Sequence, residues 1–209
     1  MPSGLDADTL QSALPLDSAD KGAGSRNLLA ADGLAALVST LRRRLYEAGL
    51  LAGEYRAIQC TLFRKTAECN WKVPYHQDVS VPVASRIRHP ALAGWSVKED
   101  GLYVQPPVAL LQRLLAVRLH LDDCTAEAGA LKVLPGSHRK GRIASHEIPN
   151  LRSRENEVVV ESMAGEMLVM HPLLLHASSK ARRPNGRRVL HFLFAPPAPG
   201  YGLSWGLAL

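Results

Sequence analysis

The spacing of hydrophobic residues changes near Gly53, and this change divides the chain into a helical part and a strand-rich part. In residues 27–51, leucine and valine recur every three or four positions, which places them on one face of a helix. Asp32 is the expected cap at the start of this helix, and Gly49 is the expected stop at its end. The residues of the apolar face are Leu34, Leu37, Val38, Leu41 and Leu45.

Beyond Gly53, short segments rich in valine, leucine and aromatic residues are separated by glycine, proline, asparagine and aspartate. This pattern is typical of an all-β sandwich or barrel. With about seven or eight such strands after one helix, we predict a mainly β fold with flanking helices. The expected architecture is a double-stranded β-helix, a cupin-like jelly roll with its core in residues 55–198. The mouth of such a barrel is the expected place for a buried site.

The length of 209 residues predicts one domain with a substantial core. Residues 1–26 are rich in serine, alanine, aspartate and glycine, so we expect a flexible N-terminal arm before a single domain at 27–209. Several prolines and glycines in residues 85–112 interrupt the strands. So long a connection is expected to act as a lid or substrate loop. Pro106 and Pro107 are expected to open a short helix inside it.

Composition narrows the classes of function. No apolar run approaches the ~20 residues needed to span a bilayer. The N-terminus lacks the basic and apolar regions of a secretory signal. Three cysteines with no C-x-x-C spacing argue against a disulfide framework or a zinc knuckle, so a cytoplasmic protein is expected.

The formal net charge is +6, and basic residues concentrate at 138–142 and 180–188. Neither stretch is interleaved with aromatic residues, and no nucleic-acid-binding motif accompanies them. We therefore expect neither a nucleic-acid nor a membrane partner. The excess of positive charge favours a small anionic ligand.

Polar residues within the strand-rich part point to a metal site. In "PYHQD", strand alternation projects His76 and Asp78 to the same side. Such a pair suits metal binding or proton transfer, although an isolated H-x-D is more often a hydrogen-bonded surface pair. His176 follows Asp78 after 98 residues, and Arg187 follows eleven residues later. Two neutral imidazoles and one carboxylate form the facial triad of non-heme Fe(II) oxygenases.

An arginine near such a metal site could anchor a cosubstrate. A 2-oxo acid can chelate the open face of such a metal, and its far carboxylate then needs an anchor. Arginine suits this role because its planar fork donates two parallel hydrogen bonds to a carboxylate. The strand "RRVLHFLFA" places Arg187 and Arg188 on opposite, largely apolar faces, so burial pattern alone does not choose between them.

Four stretches together resemble a known family: "PYHQD", "LHLDDCTAEAGALKVLPGSH", "AGEMLVMHPLLLHASS" and "RRVLHFLFA". They are similar to the phytanoyl-CoA dioxygenase family of Fe(II)- and 2-oxoglutarate-dependent oxygenases. The resemblance covers about Tyr55 to Pro196, and "DDCTAEAGALKVLPGSH" is its most specific part.

The resemblance implies that His76, Asp78 and His176 bind iron, and that Arg187 and Ser178 bind the cosubstrate 2-oxoglutarate. It implies hydroxylation of a C–H bond of a small organic molecule with O2, releasing succinate and CO2. Strand parity across Pro172 leaves His171 open as a rival ligand. Only His176 has the serine two residues on and the arginine eleven residues on, which favours His176.

Candidate substrate residues are Arg118, His120, His191 and Lys72. Arg118 stands where some family members carry an aromatic residue, and the N-terminal helical portion is short for the family. Each candidate has a plainer interpretation, such as a core histidine for His191 or a solvated lysine for Lys72.

Two alternative functions remain at this point. One is a non-catalytic cupin-like protein that binds a metal or ligand, or senses it. The other is a zinc hydrolase that uses the same triad with a water in the open position. The hydrolase leaves Arg187 and Ser178 unexplained and supplies no obvious general base.

Overall fold

The structure is a computed structural model that describes residues 1–5, 24–26, 28–99, 101–183 and 186–209. The strands are β1 (Gly24–Ser25), β2 (Arg56–Lys65), β3 (Val73–His76), β4 (Val81–Pro82), β5 (Ala93–Lys98), β6 (Gly101–Gln105), β7 (Leu115–His120), β8 (Leu131–Val133), β9 (Val158–Val160), β10 (Met167–Met170), β11 (His176–Ser178) and β12 (Arg187–Ala195). The helices are α1 (Leu34–Glu47), α2 (Val108–Leu111) and α3 (Ile148–Arg154), with 3-10 turns at Leu28–Ala30 and Ser137–Lys140.

The strands form three antiparallel sheets. The largest has the order β1-β2-β12-β7-β10, the second β3-β11-β8-β9, and the smallest β4-β6-β5. One face of the largest sheet packs against α1, and the other face is turned toward the second sheet. This arrangement is the predicted mainly β, cupin-like jelly roll, and the fold prediction is confirmed.

Helix α1 is shorter than the predicted helix at 27–51. All five residues of its predicted apolar face are buried against the largest sheet. Its N-cap is Gly33 rather than Asp32, and no side chain caps the first turn. The chain leaves the helix as expected at Gly49, whose φ of 68° is a left-handed conformation that costs glycine little.

Most of the predicted N-terminal arm, residues 6–23, lies outside the described residues. The two ends of the arm are not free. The N–H of Ser3 donates to the carbonyl of Gly165, and the Ser3 side chain is buried. Near the other end, β1 pairs with β2 in antiparallel register. Both ends are therefore held by backbone hydrogen bonds to the largest sheet or its connections.

Residues 85–112 are not the long irregular connection expected from their prolines and glycines. They contain a hairpin, β5 and β6, that joins β4 in the smallest sheet, followed by the short helix α2 after Pro107. Strand β6 pairs with β4 on one side and with β5 on the other. Burial of its residues Tyr103 and Val104 stabilises this hairpin. Its action as a lid stays a prediction.

Within the described part of the chain, no helix combines the length and apolar character needed to cross a bilayer.

Candidate metal centre

Strand pairing brings the two predicted histidine ligands together. His76, at the end of β3, lies directly opposite His176, at the start of β11, in antiparallel register. The Nδ1 atoms of His76 and His176 lie 2.9 Å and 2.8 Å from the carbonyl oxygens of Pro74 and Leu174. A proton on each Nδ1 satisfies these carbonyls and leaves each Nε2 lone pair free for a metal.

Asp78 completes the group, although not from the strand position that the H-x-D alternation predicts. Strand β3 ends at His76, and the N–H of Asp78 donates to the carbonyl of Pro172 at 2.9 Å. The Asp78 oxygens lie 3.6 Å from Nε2 of His76 and 3.7 Å from Nε2 of His176. One ligand atom from each of the three residues lies within 4.8 Å of the other two.

The electrostatics of this group suit a divalent cation. Burial holds the pKa of His176 below its ordinary value despite the adjacent Asp78 carboxylate, so the imidazole is neutral at physiological pH. Burial opposes ionisation of Asp78, but the neighbouring histidines, His176 first, hold its pKa below the ordinary value. Oδ2 of Asp78 is buried without a hydrogen-bond partner. A metal ion would satisfy that oxygen, and the donor set fits Fe(II).

His171, the rival ligand, is directed elsewhere. Its ring stacks on His138 at 5.4 Å between centroids, and its Nε2 lies 3.3 Å from the carbonyl of Gln112. His171 does not line the cavity that contains His176. This geometry supports His176 rather than His171 as the candidate ligand, and the assignment stays a prediction.

The triad opens into a cavity of about 490 Å³ between the two larger sheets. Volumes of this size hold small-molecule ligands. Six basic residues line it, and Asp78 is the only carboxylate among the described residues of its wall. The basic residues are Arg26, Lys65, Lys72, Lys98, Arg118 and Arg187.

Arg187 and Ser178 lie together in this cavity. Arg187 is buried on the inner face of β12, and its Nη1 donates to the Gly129 carbonyl at 3.4 Å. The Ser178 hydroxyl donates to the same carbonyl at 3.1 Å. Nε of Arg187 is buried without a hydrogen-bond partner. The guanidinium thus retains donor capacity toward a ligand.

Lys65 belongs to the same group and was not among the residues selected from sequence. It pairs with Arg187 across β2 and β12, is 1% exposed, and donates from Nζ to the Ser178 hydroxyl and the Ser179 carbonyl. Burial and the neighbouring Arg187 lower the pKa of Lys65 to about 8. Strand alternation along β2 could have identified Lys65, because it places every second residue along the cavity: Gln59, Thr61, Phe63 and Lys65.

Gly129 permits this close packing. A Cβ atom at Gly129 would lie 2.8 Å from the Ser179 carbonyl oxygen and 3.0 Å from Nζ of Lys65. Its φ of 77° is also a conformation that few L-residues adopt. The glycine of "AEAGAL" is therefore required by the geometry around Arg187.

Three of the four candidate substrate residues line the cavity: Arg118, His191 and Lys72. Nε2 of His191 lies 3.5 Å from Oδ2 of Asp78, next to the triad. His120 does not reach the cavity. It ends β7, is buried, and its Nδ1 lies 3.3 Å from the Glu166 carbonyl. Burial and Arg118 lower the pKa of His120 to about 4, as expected for a neutral core histidine.

Several solved structures share the fold. The epimerase SnoN, crystallised with Fe3+, alpha ketoglutarate and nogalamycin RO, is 18% identical at a TM-score of 0.66, over 93% of this chain and 77% of its own. HygX from Streptomyces hygroscopicus, with nickel and 2-oxoglutarate bound, is 17% identical at a TM-score of 0.62, over 94% of this chain and 80% of its own.

Coverage is lower for AviO1 from Streptomyces viridochromogenes, which is 21% identical at a TM-score of 0.49 over 82% of this chain. The chain spans 61% of the length of AviO1. No curated protein sequence is similar enough to the chain to count as a match. The sequence model of the family described as phytanoyl-CoA dioxygenase matches residues 26–189, which is most of the chain. The chain therefore belongs to the phytanoyl-CoA dioxygenase family.

Proposed function

We propose that the protein is an Fe(II)- and 2-oxoglutarate-dependent dioxygenase that hydroxylates a C–H bond of a small organic molecule, releasing succinate and CO2. One observation carries the proposal: the triad and the Arg187, Ser178 and Lys65 group share one cavity. The triad supplies the ligands that Fe(II) prefers, and the Arg187 group supplies hydrogen-bond donors for a carboxylate. SnoN and HygX, which share the fold, were crystallised with a metal and this cosubstrate.

In this proposal, His76, Asp78 and His176 hold the metal and leave its remaining positions open. When bound, Fe(II) with 2-oxoglutarate and O2 supplies the oxidising power that removes a hydrogen atom from the substrate. Arg187 binds the far carboxylate of 2-oxoglutarate, supported by Ser178, and so orients its other end toward the metal. The apolar walls contributed by Phe63, Leu131 and Leu193 exclude water from the reacting groups.

Asp78 favours hydroxylation over halogenation. A halide joins the metal only where the carboxylate ligand is missing, and here that position is occupied by an aspartate. Fold similarity does not choose the reaction, since SnoN is named an epimerase.

The zinc hydrolase is disfavoured by the wall of the cavity. Among the described lining residues, no carboxylate other than Asp78 is present to act as a general base for a metal-bound water. A sensor would bind the same metal and 2-oxoglutarate as the proposed enzyme but would form no product.

Succinate release separates the three functions. We expect purified protein to convert 2-oxoglutarate to succinate with Fe(II) and O2, and not with Zn(II). Release of succinate requires O2, so an anaerobic sample is the matched control. Hydrolysis with Zn(II), or binding of 2-oxoglutarate with no succinate under any condition, would contradict the proposal in favour of the hydrolase or the sensor respectively.

Affinity for 2-oxoglutarate should fall as the pH rises above about 8, because Lys65 then loses its positive charge. The sign follows from the depressed pKa: below it the ammonium attracts the cosubstrate, and above it each pH unit weakens binding by up to about tenfold. Calorimetric titration of nickel-loaded protein between about pH 7 and about pH 9.5 measures this. We expect Lys65→Met to bind weakly and to lose the pH dependence.

Lys132→Met is the matched control, since Lys132 pairs with Glu157 outside the cavity. If the affinity for 2-oxoglutarate falls steeply with rising pH in both variants, a group other than Lys65 causes the pH dependence.

A further inference from the structure

A third histidine faces the Asp78 carboxylate beside the two candidate ligands. His191 lies on β12, lines the cavity and is 6% exposed. Its Nε2 lies 3.5 Å from Oδ2 of Asp78, compared with 3.6 Å and 3.7 Å between the carboxylate and the Nε2 atoms of His76 and His176. Among the described residues, the triad is the group whose ligand atoms all lie within 4.8 Å of one another, and His191 is outside it. His191 therefore lies against a candidate ligand without belonging to the ligand set.

The hydrogen on the His191 ring can be assigned from the contact at its other nitrogen. Nη1 of Arg118 lies 3.4 Å from Nδ1 of His191. Burial and the charge of Arg187 lower the pKa of Arg118 to about 10, so at neutral pH the guanidinium is protonated and its nitrogens only donate. Nδ1 of His191 must then accept, and a neutral imidazole that accepts at Nδ1 carries its hydrogen on Nε2. The nitrogen beside Asp78 is therefore an N–H donor.

The two candidate ligand histidines have the opposite tautomer. Their Nδ1 atoms lie beside the carbonyl oxygens of Pro74 and Leu174, which can only accept, so their hydrogens are on Nδ1. All three imidazoles present Nε2 to Asp78. Two of these nitrogens offer a lone pair, which a metal can bind, and the nitrogen of His191 offers a hydrogen, which a carboxylate can accept. The group at Nδ1, a carbonyl or a guanidinium, thus distinguishes the ligands from the supporting residue.

The surrounding strands hold the His191 ring in this position. His191 pairs with Thr61 of β2 on one side and with Arg118 of β7 on the other. The Phe63 ring meets the imidazole in a T-shaped arrangement, with centroids 5.9 Å apart, and the guanidinium carbon of Arg118 lies 5.6 Å from the centroid of the same phenyl ring. A ring that is already buried and packed loses little further freedom when it donates to a neighbouring group.

The Asp78 carboxylate can accept this donor. Oδ2 is buried without a hydrogen-bond partner. A carboxylate has two oxygens with about four lone-pair sites, so a metal and an N–H can share it. An N–H···O hydrogen bond forms at about 3 Å, so a movement of about half an ångström would bring Nε2 of His191 and Oδ2 into bonding distance. Carboxylates that bind metals are themselves usually hydrogen-bonded in this way.

We propose, building on the proposed function, that His191 is a positioning residue that donates its Nε2–H to Asp78 and holds this carboxylate toward the metal. Arg118 fixes the tautomer that makes this possible. The hydrogen bond favours binding of the metal through one carboxylate oxygen rather than two. His191 itself stays off the metal because its Nε2 has no free lone pair. Both effects keep open the positions that 2-oxoglutarate and O2 require.

The tautomer can be observed in the native protein by NMR spectroscopy. Zinc-loaded protein containing isotope-labelled histidine gives ring-nitrogen signals whose shifts distinguish a protonated nitrogen from one with a lone pair. We expect the hydrogen of His191 on Nε2, and the hydrogens of His76 and His176 on Nδ1. The His191 signals are identified by their absence from His191→Gln. A hydrogen on Nδ1 of His191, or a metal bound to its Nε2, would overturn the inference.

Metal affinity is the second measurement. His191→Leu removes the donor and should weaken Co(II) binding by roughly tenfold to a hundredfold, the range found when the support of a metal ligand is lost. His191→Gln keeps an N–H near the position of Nε2 and should bind Co(II) nearly as tightly as the native protein. Competition with a chromogenic chelator measures both affinities, and the melting temperature of the metal-free proteins reports their stability.

His120→Leu is the matched control, because His120 is a buried histidine of the same sheet whose Nδ1 faces the Glu166 carbonyl outside the cavity. It should keep the native Co(II) affinity. Equal weakening in His191→Leu and His191→Gln, weakening in His120→Leu, or none in His191→Leu would contradict the role of the N–H. If His191→Leu does not fold, the tautomer in the native protein decides. If these results hold but 2-oxoglutarate does not bind, the proposed function fails and the inference about His191 stands.

Discussion

Replacing His176 with alanine is expected to abolish iron binding and, with it, succinate release. Once this imidazole is removed, the candidate triad among the described residues is reduced to His76 and Asp78. Changes in groups that merely support a metal ligand already weaken metal binding by roughly tenfold to a hundredfold, so loss of a ligand itself should exceed that range. Metal analysis after anaerobic loading with Fe(II) and removal of free metal measures the stoichiometry. His76→Ala should behave in the same way.

The control comes from the same loop. His171→Ala removes an imidazole five residues away that contacts His138 and the carbonyl of Gln112 instead of the cavity. It should retain one iron per chain. If His76→Ala and His176→Ala both keep the full iron content, the site is not where the geometry places it.

Arg187→Leu is expected to raise the 2-oxoglutarate concentration needed for half-saturation by roughly thirtyfold or more. Removing one partner of a buried, charge-assisted contact costs on the order of 2–5 kcal/mol, because the carboxylate is left buried and unpaired. Iron binding should stay nearly intact, since Arg187 does not belong to the triad. Calorimetry with nickel-loaded protein measures the cosubstrate affinity, and metal analysis measures the iron.

Arg188→Leu is the matched control, one residue along the same strand. Arg188 lies on the other face of β12, where its side chain donates to both oxygens of Asp122 at 2.9 Å. The ion pair is partly exposed, so its loss should lower the unfolding free energy by about 1 kcal/mol at most. The affinity for 2-oxoglutarate should change little. A larger loss of affinity in Arg188→Leu than in Arg187→Leu would contradict the assignment.

The sequence could predict those cavity residues whose type and spacing together match a known kind of metal or carboxylate site. His76, Asp78 and His176 meet as the motif indicates, and Arg187 shares their cavity. The fold was predictable because alternation along short strands reports which face is buried. Strand β12 shows this: Arg187, His191 and Leu193 line the cavity, while Leu190, Phe192 and Phe194 pack under α1.

Other features depended on pairing between distant segments. Lys65 looks like an ordinary strand lysine until β2 pairs with β12 and places it beside Arg187. Residues 85–112 resemble an irregular loop in sequence, because proline and glycine occur both in loops and at the turns of a hairpin. Only the pairing of β6 with β5 and β4 distinguishes a hairpin from a loop here. His120 shares the parity of Arg118, yet β7 ends at His120 and its ring contacts Glu166 instead of the cavity.

The sequence by itself thus determined the fold class and predicted a set of metal ligands and an arginine to anchor the cosubstrate, because these follow from local alternation and from side-chain chemistry at defined spacings. Only the tertiary structure placed His171 outside the cavity, added Lys65 to the Arg187 group and buried Arg118 in the cavity wall. The physical reason is that burial and charge pairing are properties of neighbours in space, and strand register sets those neighbours across more than a hundred residues of chain.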